Sequence, residues 1–232
     1  MKKETTNAET PHLRFAVLAA DVVLCTVAQG ELLVRLIPVE RPPHITHGQG
    51  LPGGLIDPRE TAEEAAHRLI NTKALVDTTH VHLEQLYTFS SLERDPRGRV
   101  VAVAYLALVP WEKLSTKERE HTAEAWWSPA RSAHRLAYDH DEMLALALER
   151  LRSRATYTTL IRTLMPREFT LTELEHAYEL LVHTDLDKRN FRKKILKLGI
   201  LTATPHKRTE GAFRPAQLYR FTNHKVQDIE IL

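Results

Sequence analysis

A chain of 232 residues with 43% hydrophobic and 27% charged residues can hold one large core or a medium and a small one, and its composition excludes disordered and fibrous classes. No stretch approaches the roughly 20 apolar residues of a membrane span, and the polar start Met1–Thr10 lacks the apolar core of a secretory leader, so a cytoplasmic protein without membrane contact is expected. The single cysteine, Cys25, excludes an internal disulfide; its place in the apolar run Val22–Val27 predicts a buried structural thiol.

The net charge of +2 conceals an asymmetry. From Ser153 onward the chain carries 14 Lys and Arg against 9 Asp and Glu, whereas the preceding part is mildly acidic. One module is thus suited to a polyanion and the other to different work.

Apolar runs at Leu13–Val27 and Leu32–Ile37, separated by Gly30, predict a hairpin. Pro42, Pro43, Gly48, Gly50, Pro52, Gly53 and Gly54 predict an extended loop leading into Leu55 and Ile56. Ala62, Ala65, Ala66, Leu69 and Ile70 at helical spacing, with Glu63 and Glu64 in the first turn, predict a helix over Thr61–Leu75. Two strands follow, Val81–Phe89 and Val100–Val109, and then a helix over Asp139–Arg152 whose apolar face includes Met143, Leu144, Ala147 and Leu151. On a strand, Trp126 and Trp127 must point to opposite faces. The remainder has a different rhythm. Three short helices, Thr158–Leu164, Thr170–Leu181 and Lys188–Leu198, precede a β-hairpin over Leu201–Thr222, which is the order of a winged helix. The break near Ser153–Thr156 is too short and too poor in Gly and Pro for a floppy linker, so two stiffly coupled domains are expected, residues 1–152 and 153–232.

In the third of those helices Phe191, Ile195 and Leu198 form one face, which turns Lys188, Arg189, Asn190, Arg192, Lys193 and Lys197 outward. A solvated charged face is the alternative reading. Lys207, Arg208 and Arg214 at the hairpin tip favour DNA, being placed to grip phosphates beside a groove-inserted helix.

Gly54, Glu60 and Arg68 stand at the spacing of the Nudix box, and the segment resembles the signature of the Nudix hydrolases. In that family three helix carboxylates gather Mg²⁺ for attack on a diphosphate; here Leu69, Thr72 and Lys73 occupy their positions. The resemblance therefore implies a Nudix fold without catalytic residues, metal or cofactor. Glu60 is expected to face Arg68. A ligand pocket can persist without catalysis. Gly53 and Gly54 allow close approach of backbone, Arg35, Arg41, Arg94 and Arg97 supply candidate phosphate contacts, and Tyr87 and Phe89 share a strand face from which to stack on a base. Lys73 either places an ammonium where the metal ion would stand or is a plain surface lysine. His44 and His47 have no companion cysteine and are not assigned to a metal.

The degenerate box, Tyr87–Phe89 before Arg94–Arg99, Leu136–His140 and the ending Pro215–Phe221 together resemble the Nudix-related transcriptional regulators, the NrtR family. That resemblance covers nearly the whole chain. It implies an α/β Nudix fold, an α/β/α sandwich, followed by a C-terminal winged helix-turn-helix. It further implies a homodimeric repressor of genes of NAD synthesis or salvage that binds a palindromic double-stranded operator and responds to ADP-ribose. The rival readings are a sugar-responsive regulator of the same family, an ADP-ribose pyrophosphatase with an accessory domain, and a nucleotide- or RNA-associated module without an operator.

Overall fold

In the computed structural model, which describes residues 15–209 and 215–232, two layers of helix enclose a mixed sheet and a small second domain follows. The first hairpin joins β1 (Val17–Ala28) to β2 (Glu31–Arg41) through Gln29 and Gly30, both at positive φ, the backbone that a two-residue hairpin turn requires. The expected loop over residues 42–54 is instead largely strand. β3 (Ile45–Gly50) pairs with β2, and β4 (Gly53–Leu55) pairs with β1. Glycines weaken a strand without forbidding it, and pairing with an already formed neighbour decides the matter here.

Helix α1 (Ala62–Thr72) begins at Thr61, whose hydroxyl accepts from the Glu64 amide while the Glu64 carboxylate accepts from the Thr61 amide. This reciprocal capping explains why the helix starts where it does. After it come β5 (His82–Phe89), β6 (Val100–Leu108), a single helical turn α2 (Thr116–Arg119) and β7 (Trp126–Pro129). The sheet runs β3-β2-β1-β6-β5, with β4 beside β1 and β7 beside β2. Its centre is the parallel pair β1 and β6, in register from Val17 with Val100 to Cys25 with Leu108. Val22 and Leu24 pack towards Ala66 and Ile70 of α1 on one face, while Val23 and Cys25 join the other core, shared with α3 (His140–Tyr157). Trp126 and Trp127 divide between these two cores, as alternation on β7 requires.

Helix α3 passes Arg152 and ends at Tyr157, so the expected boundary lies inside a helix. Ala155 is fully buried and Arg154 pairs with Glu84 of β5 at 2.9 Å, which keeps the last turn folded against the sheet. The first expected helix of the second domain shrinks to a 3-10 turn, Leu160–Thr163. Then come α4 (Leu171–Val182), α5 (Lys188–Lys197) and the antiparallel pair β8 (Leu201–Arg208) and β9 (Ala216–Phe221), with Phe169 bridging to Tyr219. This is a winged helix. Its Phe169, Tyr178 and Ile195 belong to the same contiguous core as Leu106 and Leu151. The strand start at Leu13, the Gly211 turn and Arg214 lie outside the described residues. No described helix is long and apolar enough to cross a membrane.

Cys25 is wholly buried, and burial pushes its thiol up to about 12. At pH 8 the native protein is expected to resist iodoacetamide, with full labelling after denaturation; rapid native labelling would contradict the packing.

Candidate functional site

One cleft of about 260 Å³ lies over β1, β2 and β4, beside the start of α3. It is built around Asp21, a carboxylate inside the apolar strand β1. Its cross-strand partner is Gly53, and a Cβ there would fall 1.9 Å from Asp21 Oδ1. Glycine at this position is what leaves room for the charge. Arg94 fills the opposite side. Its Nη2 donates to Asp21 at 3.1 Å and to Asp139 at 2.8 Å, and its Nε donates to Asp139 at 2.9 Å. All three side chains are less than a tenth exposed. His140 closes the group. The Leu51 amide donates to its Nδ1 at 2.9 Å, which leaves the ring proton on Nε2, 3.7 Å from Asp21. Gly50 makes way for this ring, since a Cβ would come within 2.7 Å of Nδ1. Burial pushes the Asp21 carboxyl upward, but His140 and Arg94 outweigh it and hold Asp21 below the usual carboxylate range.

The rim is cationic. Lys73, just past the end of α1, reaches across to donate its ammonium to the Gly53 carbonyl, and Arg41 and Arg97 line the same cleft. Burial lowers the Lys73 pKa, the charge of Arg41 acts in the same direction, and Asp21 opposes them. An arriving anion would relieve that strain, so the rim is suited to phosphate groups. Arg97 is held by Asp95 and lies over the ring of Tyr138, 5.8 Å from its centre. Tyr138 itself adopts φ of 60°, rare for a bulky residue.

Of the expected ligand contacts, Arg41, Gly53, Gly54, Lys73, Arg94 and Arg97 therefore converge. Arg94 differs in role from the others, because its Nε and Nη2 are committed to Asp21 and Asp139. Arg35 does not reach the cleft. It is completely buried, donates to the Ala74 carbonyl at 2.9 Å and lies 5.2 Å from the ring of Trp127, its cross-strand neighbour's side chain. It satisfies a carbonyl left over beyond the end of α1. Tyr87 and Phe89 touch edge to face at 5.4 Å, but β5 is separated from β1 by β6 and neither ring lines the cleft. Asp21, Tyr138 and His140 are site residues that motif spacing missed. A carboxylate within an unbroken apolar run was the available signal for Asp21.

Leu69 is buried against Ala20 and Ala65, the Thr72 hydroxyl returns to the Arg68 carbonyl, and Glu60 pairs with Arg68. Among the described residues no group of three or more His, Cys, Asp or Glu is arranged to hold a metal ion, and His47 pairs with Glu40 at 3.3 Å.

In the second domain Phe191 and Ile195 anchor α5, and Lys188, Arg189, Asn190, Arg192, Lys193 and Lys197 are exposed. Asp187 caps the helix by accepting from the Asn190 amide. Arg192 is less free than its position suggests. It donates to the Thr172 hydroxyl at 2.9 Å and lies 3.7 Å from the buried carboxylate of Glu175, both on α4. Arg208 is bound to Glu173, so it braces the hairpin against α4, whereas Lys207 is exposed. The basic helix and the described part of the wing are thus both braced on α4.

Gly53→Ala is expected to force Asp21 or β4 out of place. Overpacking of this kind costs about 1–3 kcal/mol, and thermal unfolding should show it together with loss of anion binding in the cleft. Wild-type stability and binding would show that the carboxylate does not need this space.

Comparison with known proteins agrees with both halves. Residues 16–147 match the NUDIX domain and residues 161–221 match the NrtR DNA-binding winged helix domain. The chain is 35% identical over 208 residues to the ADPR responsive transcriptional repressor NtrR of Acinetobacter baylyi, covering 88% of this chain and 81% of that protein. Shewanella oneidensis NrtR, solved in complex with a 27mer DNA, superposes with a TM-score of 0.77 at 32% identity, covering 88% of this chain and 93% of that one. The NUDIX domain of the same Shewanella protein, solved with ADP ribose, matches with a TM-score of 0.52 at 30% identity over 62% of this chain and 94% of that one. With motif, domain order and fold in agreement, the chain belongs to the NrtR family of Nudix-related transcriptional regulators.

Proposed function

We propose that the cleft is a sensor for ADP-ribose, that α5 and the wing read a palindromic operator in genes of NAD synthesis or salvage, and that the working unit is a cytoplasmic homodimer. The observation that carries the sensing half is the rim of Lys73, Arg41 and Arg97 around the Gly53–Gly54 backbone. A diphosphate is the ligand class that such a rim suits, and the Shewanella NUDIX domain was solved with ADP ribose. Hydrolysis is not part of the proposal. Leu69 offers apolar surface, the Thr72 hydroxyl is engaged and Lys73 brings a cation, so the α1 face supplies no anionic oxygen for Mg²⁺ at these positions.

ADP-ribose is expected to raise the melting temperature as its concentration passes the dissociation constant, and Lys73→Met should weaken this effect at least tenfold in concentration. Affinity should fall as pH rises through the lowered Lys73 pKa, because the ammonium form is the one that attracts phosphate. Stabilisation by a pentose but not by ADP-ribose would replace the effector. Magnesium-dependent turnover near 1 s⁻¹ or above, an ordinary enzyme rate, would overturn the sensor reading.

For the operator, Thr172 and Glu175 hold Arg192 in a defined direction at the surface of α5. Side chains held in this way lose little freedom on reading a base edge. Arg192→Ala is expected to lower operator affinity by roughly 1–3 kcal/mol and to relax one base position if the contact is bidentate to guanine. Uniform loss on all sequences would assign the side chain to phosphate; unchanged binding would remove α5 from the interface.

A further inference from the structure

A second cleft, of about 490 Å³, opens where the two domains meet. The segment after β6 forms one wall with Lys113, the connecting segment contributes Arg162 and Arg167, and the base of the β8–β9 hairpin adds Arg220 and His224. Glu112 is the one acid among the described lining residues, and its Oε1 already accepts from the Arg167 amide at 2.8 Å. Arg162 is the informative side chain. Its Nε is buried without a hydrogen-bond partner, and burial depresses the guanidinium's pKa with no carboxylate to offset it. Lys113, Arg167 and Arg220 likewise form no ion pair among the described residues. A half-buried cation left without a partner is costly, and the exposed Lys113, Arg167 and Arg220 gather a local excess of positive charge beside it. An anion would complete the arrangement.

Neither site already described accounts for this cleft. The sensing cleft touches Val100 at the start of β6, whereas the second begins at Pro110, beyond the far end of a strand that runs roughly 26 Å at about 3.3 Å per residue. Thr202 pairs with Arg220 at the hairpin base, and the strand runs on from there to Arg208, roughly 20 Å towards the wing tip by the same rise. Met165 and Phe221 add apolar surface to the same cleft. We infer that this junction is a second anion site, taking a small molecule that bears a phosphate or diphosphate group. Both domains supply its walls, so an occupant favours the domain arrangement in which the walls stand together and acts on DNA affinity from outside the ADP-ribose cleft. This inference is independent of the effector's identity.

The test is calorimetric titration of the full chain with inorganic pyrophosphate. Lys73→Met removes the ammonium of the sensing cleft and should leave one class of pyrophosphate binding. In that background Arg220→Gln, an exposed change, is expected to weaken the remaining binding at least tenfold. Arg162→Gln should do the same without lowering the melting temperature, because the side chain has no partner to lose; a purely structural arginine would lower it. Loss of all pyrophosphate binding in Lys73→Met would overturn the inference, as would undiminished binding in both arginine variants. Weakened operator binding by Arg220→Gln with unaltered pyrophosphate affinity would assign the surface to DNA and would overturn it equally.

Discussion

Arg94, buried between Asp21 of β1 and Asp139 at the start of α3, is the interaction on which the sensing cleft depends. Three charges removed from water are tolerable only when each finds its partners, and removing one partner from a buried pair costs about 3–5 kcal/mol. The surrounding backbone meets this demand. Gly53 leaves space for Asp21, Gly50 for His140, and the left-handed Tyr138 turns the chain into α3 beside them. The same ion network is both the floor of the cleft and the anchor of α3. A ligand that draws on Arg97 or Lys73 therefore acts within one residue layer of that helix.

The far end of α3 is equally constrained. Arg154 and Arg150 tie it to Glu84 and the Leu86 carbonyl of β5. The C-terminal tail returns to the same place, where the Ile229 amide donates to the Tyr157 carbonyl, the Ile231 amide donates to Thr156, and Ile231 is buried. Core side chains run continuously from Leu106 to Phe169, so the winged helix is packed against the first domain. Domain motion in such a packed arrangement is a shift between discrete packings, which suits transmission from the cleft better than a flexible tether would. In a dimer, a few ångströms at the two α5 helices would alter their match to half-sites about one DNA turn apart.

Periodicity and punctuation carried much of the fold. The β1–β2 hairpin, α1, α4, α5 and the wing all follow from local pattern, because each has a strong apolar stripe or a side-chain cap at its start. Strands β3 and β4 were not legible, since Gly48, Gly50 and Gly53 carry no strand preference and the pairing that fixes them is long-range. The length of α3 was underestimated for a similar reason. Ser153 and Thr156 are weak helix formers, but Arg154 and Ala155 between them favour the helix and gain tertiary partners. Within the cleft, the sequence pattern located Arg41, Gly53, Gly54, Lys73, Arg94 and Arg97. It misplaced Arg35, because an arginine on a strand gives no sign of whether it meets a ligand or a carbonyl and a tryptophan ring. It overlooked Asp21 and His140, whose importance arises only from their mutual burial.

Reciprocal coupling is the central claim, and linkage makes it directly measurable. If ADP-ribose binds one domain arrangement and operator DNA the other, ADP-ribose affinity measured on the operator complex must be weaker than on the free protein, by the same factor by which ADP-ribose weakens operator binding. Coupling free energies of this type are typically 1–3 kcal/mol, so a change of about 5-fold to 150-fold is expected. Equal ADP-ribose affinity for the free and the DNA-bound protein would contradict the account.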